Sequence, residues 1–145
     1  MDFSKAFDRV PHKRLLHKLR AYGIKGHLLE WINDWLTTRQ QRVVYEGHTA
    51  EWKNVLSGVL QGSVLGPLLF VIFINDLVDQ VNNCIRLYAD YTKILAKVKS
   101  REDVERLQSN INKCVIWSKT WLMSFNIDKC KIMHIAKTYQ HMSTQ

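Results

Sequence analysis

The stretch at positions 85–95 constrains the fold of this chain most. Two apolar, β-prone arms, 85–88 and 92–95, flank a short polar apex. This pattern predicts a β-hairpin with Asp90 at or beside its turn. A carboxylate on a tight turn stands on a rigid support, as a metal ligand requires, but Asp is also a common turn former. The stretch alone leaves both interpretations of Asp90 open.

Length and composition predict one globular domain. The chain has 145 residues and a hydrophobic fraction of 46%, enough for one core and ordinary for a folded protein. Its net charge of +8 favours a polyanionic partner, nucleic acid before membrane. Three cysteines without a CxxC pair predict neither a disulfide framework nor a zinc site. Without a signal peptide or a long apolar run, an intracellular protein is expected, with nucleus or cytoplasm undecided.

Four helices are predicted from apolar spacing and end signals. The first is opened by Pro11 and ends before Gly23, a plausible C-cap. The second covers about 27–38, with a broad apolar face. Ser63 can cap a third helix that continues to 81 and is apolar nearly all round, which predicts a central, buried position. The residues at 100–103 resemble a capping box that starts the fourth.

Strands are predicted at 41–47, 51–56 and 129–135, besides the hairpin. The basic residues Arg39, Arg42 and Lys53 lie close together in sequence, and either a solvated face or a phosphate-facing edge explains them. The expected fold class is α+β: a small antiparallel sheet that holds the hairpin, with helices packed on one face. We expect one domain at 1–138 and a frayed tail at 139–145.

Four segments, in chain order, resemble the motifs of a polymerase palm. Residues 2–8 resemble motif A, 57–70 motif B, 88–91 motif C and 125–131 motif D. With the flanking residues 22–24 and 31–43, the set resembles the reverse transcriptases of non-LTR retrotransposons of the LINE or jockey-like kind. Each motif alone is weak, but the ordered set covers nearly the whole chain and is specific.

The resemblance implies an RNA-directed DNA polymerase, a nucleotidyltransferase that uses two Mg²⁺ ions. In such enzymes the two ions clamp the attacking and leaving oxygens of an in-line phosphoryl transfer, and Mg²⁺ favours carboxylate oxygens. By resemblance, Asp2 and Asp90 are the catalytic metal ligands. Lys129 matches the catalytic lysine near the leaving pyrophosphate. The partners implied are an RNA template, a DNA primer and deoxynucleoside triphosphates, with no membrane and no indication of oligomeric state.

Three further positions match substrate-binding residues of the family. Phe7 matches the ring that selects deoxynucleotides by clashing with a 2′-hydroxyl. Gln61 and Gly62 match the loop that lies against the incoming nucleotide and template. Three of the matched residues also have a purely structural explanation: Phe7 fits a core position, Gly62 a turn before a helix, and Lys129 an exposed charge on a strand.

The chain departs from the family pattern in ways that predict an impaired enzyme. Tyr91 stands where a second carboxylate is expected and Leu60 where a proline is usual. The resemblance also identifies the chain as a palm fragment without fingers and thumb. We therefore expect no polymerase activity from this chain by itself. Two alternatives stay open: a non-catalytic nucleic-acid-binding remnant, and an expressed relic without a selected role.

Overall fold

A computed structural model describes residues 1–135 and confirms the α+β fold. Its helices and strands follow from end signals and from apolar faces that meet in one core. The α-helices of this part are α1 (His12–Ala21), α2 (Gly26–Thr37), α3 (Leu65–Ile74) and α4 (Arg101–Trp121), and 3₁₀ helices cover Phe7–Arg9, Asn75–Gln80 and Ile127–Lys129. The strands are β1 (Gln40–Gln41), β2 (Val44–Tyr45), β3 (His48–Thr49), β4 (Lys53–Asn54), β5 (Cys84–Tyr88) and β6 (Tyr91–Leu95). The predicted tail at 139–145 lies outside the described residues, and the boundary at 138 stays a prediction.

Both predicted ends of α1 and the predicted start of α4 are confirmed. α1 starts directly after Pro11, and Gly23 follows it with a φ of +88°, a conformation open to glycine without a steric penalty. At the start of α4 the Ser100 hydroxyl accepts from the Asp103 amide at 3.3 Å. The Asp103 carboxylate accepts in return from the Ser100 amide at 3.2 Å. This reciprocal pair is the predicted capping box.

The third helix differs from its prediction in two ways. α3 ends at Ile74, and the chain continues to Gln80 as a 3₁₀ helix. Asp76 in this segment accepts a hydrogen bond from Trp117 Nε1 at 3.0 Å, so tertiary contacts hold the tighter winding. The helix is also not buried all round, because Leu68 and Val71 are about half exposed. An apolar sequence does not by itself show which face of a helix the core covers.

The predicted hairpin is confirmed as a two-stranded sheet. β5 and β6 pair antiparallel, with Tyr88 opposite Tyr91, so that Asp90 lies in the turn. Residues 2–3 extend this sheet: Asp2 forms an antiparallel bridge with Tyr91, and Phe3 forms one with Phe125. The first residues of the chain therefore lie between β6 and the segment that follows α4.

The strand predictions outside this hairpin have different outcomes. A hairpin forms in the predicted region, but as two short ladders, β1 with β4 and β2 with β3. Its turn lies at 46–47, and the predicted connection at 48–50 contains β3 instead. The strand predicted at 129–135 is wrong over its whole length, since Lys129 ends the 3₁₀ helix Ile127–Lys129 and residues 130–135 contain no strand. Ile132 and Met133 are more than four-fifths exposed. Alternating apolar residues form a strand only where a partner strand is in reach.

A buried lysine joins four elements of the core. Lys18 of α1 is 4% exposed and donates to the Phe73 carbonyl and to Asp76 Oδ1. Its ammonium nitrogen lies 3.7 Å from the centroid of a Trp121 ring. Buried charges are found where partners compensate the loss of hydration. Lys18 thus ties α1 to α3, to the 3₁₀ helix Asn75–Gln80 and to α4.

The helices pack on one face of the sheet, around a cluster of aromatic and aliphatic side chains. Phe3 stacks on Phe125 and lies beside Trp117, which joins the sheet to α4. The largest fully buried apolar side chains are Phe70, Phe73, Leu15, Leu19, Leu36, Leu69, Ile74, Leu77, Met123 and Val10. Within residues 1–135, none of the helices has the length and apolar character needed to cross a membrane.

Candidate active site

Asp2 is held rigidly by backbone pairing on both sides. Besides its bridge to Tyr91, its carbonyl accepts from the Asn126 amide at 2.8 Å. The residue is 3% exposed. Its Oδ2 lies 3.5 Å from Lys129 Nζ, whereas Oδ1 is buried and has no hydrogen-bond partner within the described residues. A buried carboxylate oxygen without a partner is uncommon, and a cation could bind there.

Asp90 is half-buried in the hairpin turn, after Ala89 with a φ of +49°. It precedes Tyr91, the bridge partner of Asp2, so both carboxylates lie at the same end of the sheet. The ion pair with Asp2 brings Lys129 to that end as well. Among residues 1–135, however, no three His, Cys, Asp or Glu side chains form a cluster able to hold a metal ion.

Tyr91 lies beside these groups rather than in the core. Side chains of residues directly opposite in an antiparallel pair project from the same face of the sheet. Tyr91 and Asp2 therefore share a face, and the Tyr91 ring is 53% exposed there. A phenol carries no charge at neutral pH, so Tyr91 adds bulk to this end of the sheet and no anionic oxygen.

Phe7 and the loop before α3 lie against each other. The Phe7 ring is half-buried and stacks on Phe70, with centroids 4.6 Å apart, and the Phe7 carbonyl accepts from the Val59 amide at 2.8 Å. Gln61 and Gly62 are exposed at the tip of the same loop, and Gly62 has a φ of +91°. The structure thus groups Phe7 with this loop.

Two side chains outside the predicted substrate-binding residues, His12 and Arg39, also reach the loop. His12 Nε2 and Arg39 Nη2 each lie 2.8 Å from the Gly58 carbonyl oxygen. Burial lowers the pKa of the His12 imidazole, and the positive charge of Arg39 lowers it further. His12 lies three and four residues before Leu15 and Leu16, the helical spacing of one face. That spacing was the available signal for its burial.

The exposed face of the hairpin is basic and aromatic. Arg86 and Lys93 lie directly opposite each other, an arrangement that costs stability when the two charges are alike. Within the described residues neither forms an ion pair with a carboxylate. Tyr88, on the same face, is 81% exposed. Such a surface is suited to phosphate and base contacts.

The family follows from comparison with known proteins. Residues 1–144 match the family described as reverse transcriptase (RNA-dependent DNA polymerase). The chain belongs to the reverse transcriptase family. It is 34% identical over 140 residues to the RNA-directed DNA polymerase from mobile element jockey of Drosophila melanogaster, which covers 90% of this chain and 15% of that protein. The corresponding jockey protein of Drosophila funebris is 32% identical over 139 residues, with the same shares.

A relative from another type of element gives the same result for a shorter segment. The retrovirus-related Pol polyprotein from type-1 retrotransposable element R2 of Popillia japonica is 35% identical over 83 residues, which is 57% of this chain and 14% of that protein. The predicted non-LTR retrotransposon reverse transcriptase is therefore confirmed. The chain spans about 15% of the length of the jockey relatives it matches. Reverse transcriptases generally use divalent metal ions.

Proposed function

We propose that this chain supplies the palm of a retrotransposon RNA-directed DNA polymerase, with Asp2 and Asp90 as its metal-binding carboxylates. One observation carries the proposal. Asp2, Asp90 and Lys129 are far apart in sequence, yet the sheet brings them to one end, with a buried Asp2 oxygen left without a partner. Paired carboxylates beside a cation are the groups expected for transfer of a nucleotidyl group.

The side chains present fit a divalent ion, but weakly. Mg²⁺ prefers carboxylate and phosphate oxygens with water, and the unpartnered Oδ1 of Asp2 is such a donor. Tyr91 stands at the position where the family pattern has a further carboxylate, next to Asp90. When bound, Mg²⁺ would supply positive charge for the reacting phosphate oxygens. Lys129 would compete for Asp2 in the absence of substrate and turn to the pyrophosphate when nucleotide is bound.

The remaining residues act on the nucleotide and its partners. We assign to Phe7 the exclusion of a 2′-hydroxyl, since stacking on Phe70 fixes its ring. Gln61 and Gly62 lie at the exposed loop tip, where they can contact an incoming deoxynucleoside triphosphate. An RNA template and a DNA primer are the partners of the complete enzyme.

Primer extension tests the proposal. The isolated chain, with a homopolymer template, deoxynucleotides and Mg²⁺ or Mn²⁺, should give no product. A chimaera in which this segment replaces the matching part of a jockey polymerase should gain activity on Tyr91→Asp, because each added carboxylate strengthens binding of a hard dication. Asp90→Ala should abolish that activity, while Asp79→Ala, at an exposed position outside the four motifs, should leave it unchanged.

Two results would count against these assignments. If the chimaera is equally active with Tyr91 in place, Tyr91 does not disable the site. If Asp90→Ala retains activity, Asp90 is not a metal ligand. Either result can be obtained with the same template and primer.

The basic face of the hairpin favours a second candidate, a nucleic-acid-binding protein without catalysis. The opposed Arg86 and Lys93 beside the exposed Tyr88 would neutralise phosphates and release counterions. Binding to labelled duplex should weaken steeply with salt. Arg86→Gln with Lys93→Gln should reduce the slope of log affinity against log salt by about 2, while Lys119→Gln on α4 should not. A flat salt response would eliminate this candidate.

A further inference from the structure

The loop that joins β4 to α3 is fastened at its first half by several groups. The Gly58 amide donates to the Val10 carbonyl at 2.8 Å, and the Gly58 carbonyl accepts from His12 and Arg39. A Cβ at position 58 would lie 2.8 Å from the Asp8 Cα, and the Gly58 φ is +93°. Only glycine therefore allows the loop to approach this closely.

The second half of the loop is fastened by its own backbone. The Leu60 carbonyl accepts from the Ser63 amide at 3.3 Å and from the Ser63 hydroxyl at 2.8 Å. The Ser63 hydroxyl oxygen accepts from the Gly66 amide at 2.9 Å, which links it to the first turn of α3. Between the two anchors only Gln61 and Gly62 are left, so the anchors decide where these two residues lie.

The side chains of His12 and Arg39 both donate a hydrogen bond to the Gly58 carbonyl. His12 is 6% exposed, and because a carbonyl only accepts hydrogen bonds, its Nε2 carries the proton. Arg39 is half-buried, with its guanidinium carbon 5.1 Å from the Trp35 ring centroid. Within residues 1–135 neither side chain forms a salt bridge. Arg39 is the charged group that acts on His12.

We infer that His12 and Arg39 are positioning residues, which act through the Gly58 carbonyl to fix Gln61 and Gly62 against the 3₁₀ helix Phe7–Arg9. Their significance for catalysis rests on the proposed function, since that is what places Gln61 and Gly62 at the nucleotide. The geometric statement is independent of catalysis. It predicts that loss of either donor frees this loop without loosening the sheet.

Amide hydrogen exchange followed by NMR tests the inference on the chain as it stands. The reporters are the Gly58 and Val59 amides, which donate across to the segment 7–10, and Thr92 in the sheet serves as the reference for global opening. His12→Leu and Arg39→Met each remove a donor and keep apolar bulk. Either change should speed exchange at the two reporters about ten-fold, the effect of one hydrogen bond, and leave Thr92 unchanged.

Conservative variants separate positioning from general stability. His12→Gln and Arg39→Lys retain a donor and should restore most of the protection. Arg42→Met is the control for Arg39→Met, because Arg42 stacks on Trp52 in the same hairpin and shows no contact with Gly58. Arg39 is only half-buried, so Arg39→Met remains testable if His12→Leu does not fold.

The outcomes are distinct. Unchanged exchange at Gly58 and Val59 would overturn the inference. An equal increase in exchange at Thr92 would also overturn it, because His12 and Arg39 would then contribute only to overall stability. Local acceleration that the conservative variants reverse supports it. If that pattern is found but the chimaeric polymerase stays inactive after Tyr91→Asp, the proposed function fails while the positioning role stands.

Discussion

Replacing Lys18 with methionine should lower the free energy of unfolding by about 3 kcal/mol. The side chain of Lys18 is 5% exposed and that of Asp76 29%. Methionine matches the length of the lysine stem and can fill the same space. The substitution therefore removes the ammonium group and its contacts with little change in packing.

The magnitude follows from opposing contributions. A hydrogen bond to a charged group contributes about 1.5–3 kcal/mol net, and a desolvated cation over an aromatic ring about 2 kcal/mol. Methionine avoids the desolvation penalty of several kcal/mol that a buried ammonium incurs. It also leaves the Asp76 carboxylate without its partner cation. Because Asp76 reaches solvent and keeps the bond from Trp117, the expected loss lies at the lower end of the 3–5 kcal/mol range for broken buried pairs.

Urea denaturation, followed by far-ultraviolet circular dichroism and by tryptophan fluorescence, measures the effect. Lys119→Met at an exposed position of α4 is the control and should change stability by less than about 0.5 kcal/mol. Lys18→Met combined with Asp76→Leu should recover part of the loss, because an apolar pair can replace a buried ion pair. A loss below about 1 kcal/mol for Lys18→Met would refute the view that this lysine joins the four elements.

Three further predictions concern local contacts. Gly66→Ala should cost about 2 kcal/mol or more, because its Cβ would lie 2.1 Å from the Leu60 carbonyl oxygen, and thermal unfolding measures this. Burial lowers the pKa of the His12 imidazole from 6.5, so the unfolded chain binds a proton more readily than the folded chain. The contribution of neutral His12 to the free energy of unfolding is therefore complete above about pH 6.5 and is lost as the pH falls through the lowered pKa. His12→Gln should flatten this acid dependence of the melting temperature. Ser100→Ala should cost about 1 kcal/mol in urea by loss of the cap on α4.

Matched variants serve as controls for these three. Gly23→Ala meets no atom within 4 Å but, unlike Gly66, has a left-handed backbone, so its cost reports backbone strain alone. A cost below about 0.5 kcal/mol for Gly66→Ala would show that the Leu60 contact is unimportant. His17→Gln, at an exposed position, should retain the acid dependence; if it removes it, His12 is not the titrating group. Ser109→Ala within α4 should be nearly neutral, and a similar loss there would refute the capping argument.

The sequence predicted best what neighbouring residues decide. The hairpin around Asp90 and the capping box at Ser100 depend on a few consecutive residues, and the structure has both. Pro11 and Gly23 bracketed α1 for the same reason. In each case backbone conformation and local hydrogen bonds leave few alternatives.

Contacts between distant segments were beyond prediction from the sequence. The alternation at 129–135 predicts a strand, but no partner strand reaches it in the described chain. The pairing of Asp2 with Lys129 and the shared contact of His12 and Arg39 depend on how the helices and sheet assemble. For the candidate site, the motifs predicted which residues matter, whereas only the fold showed the unpartnered oxygen of Asp2.

The position of residues 2–3 between β6 and the segment after α4 has a consequence for biosynthesis. Asp2 pairs with Tyr91, and its carbonyl bonds to Asn126, so the sheet closes only after the ribosome has synthesised residue 126. Contacts this distant in sequence slow folding, because a long loop must close before they form. Until then the outer edge of residues 2–3 is open, which invites pairing with other chains. Slow synthesis or a crowded ribosome would therefore favour aggregation of this protein before the segment after α4 docks on residues 2–3.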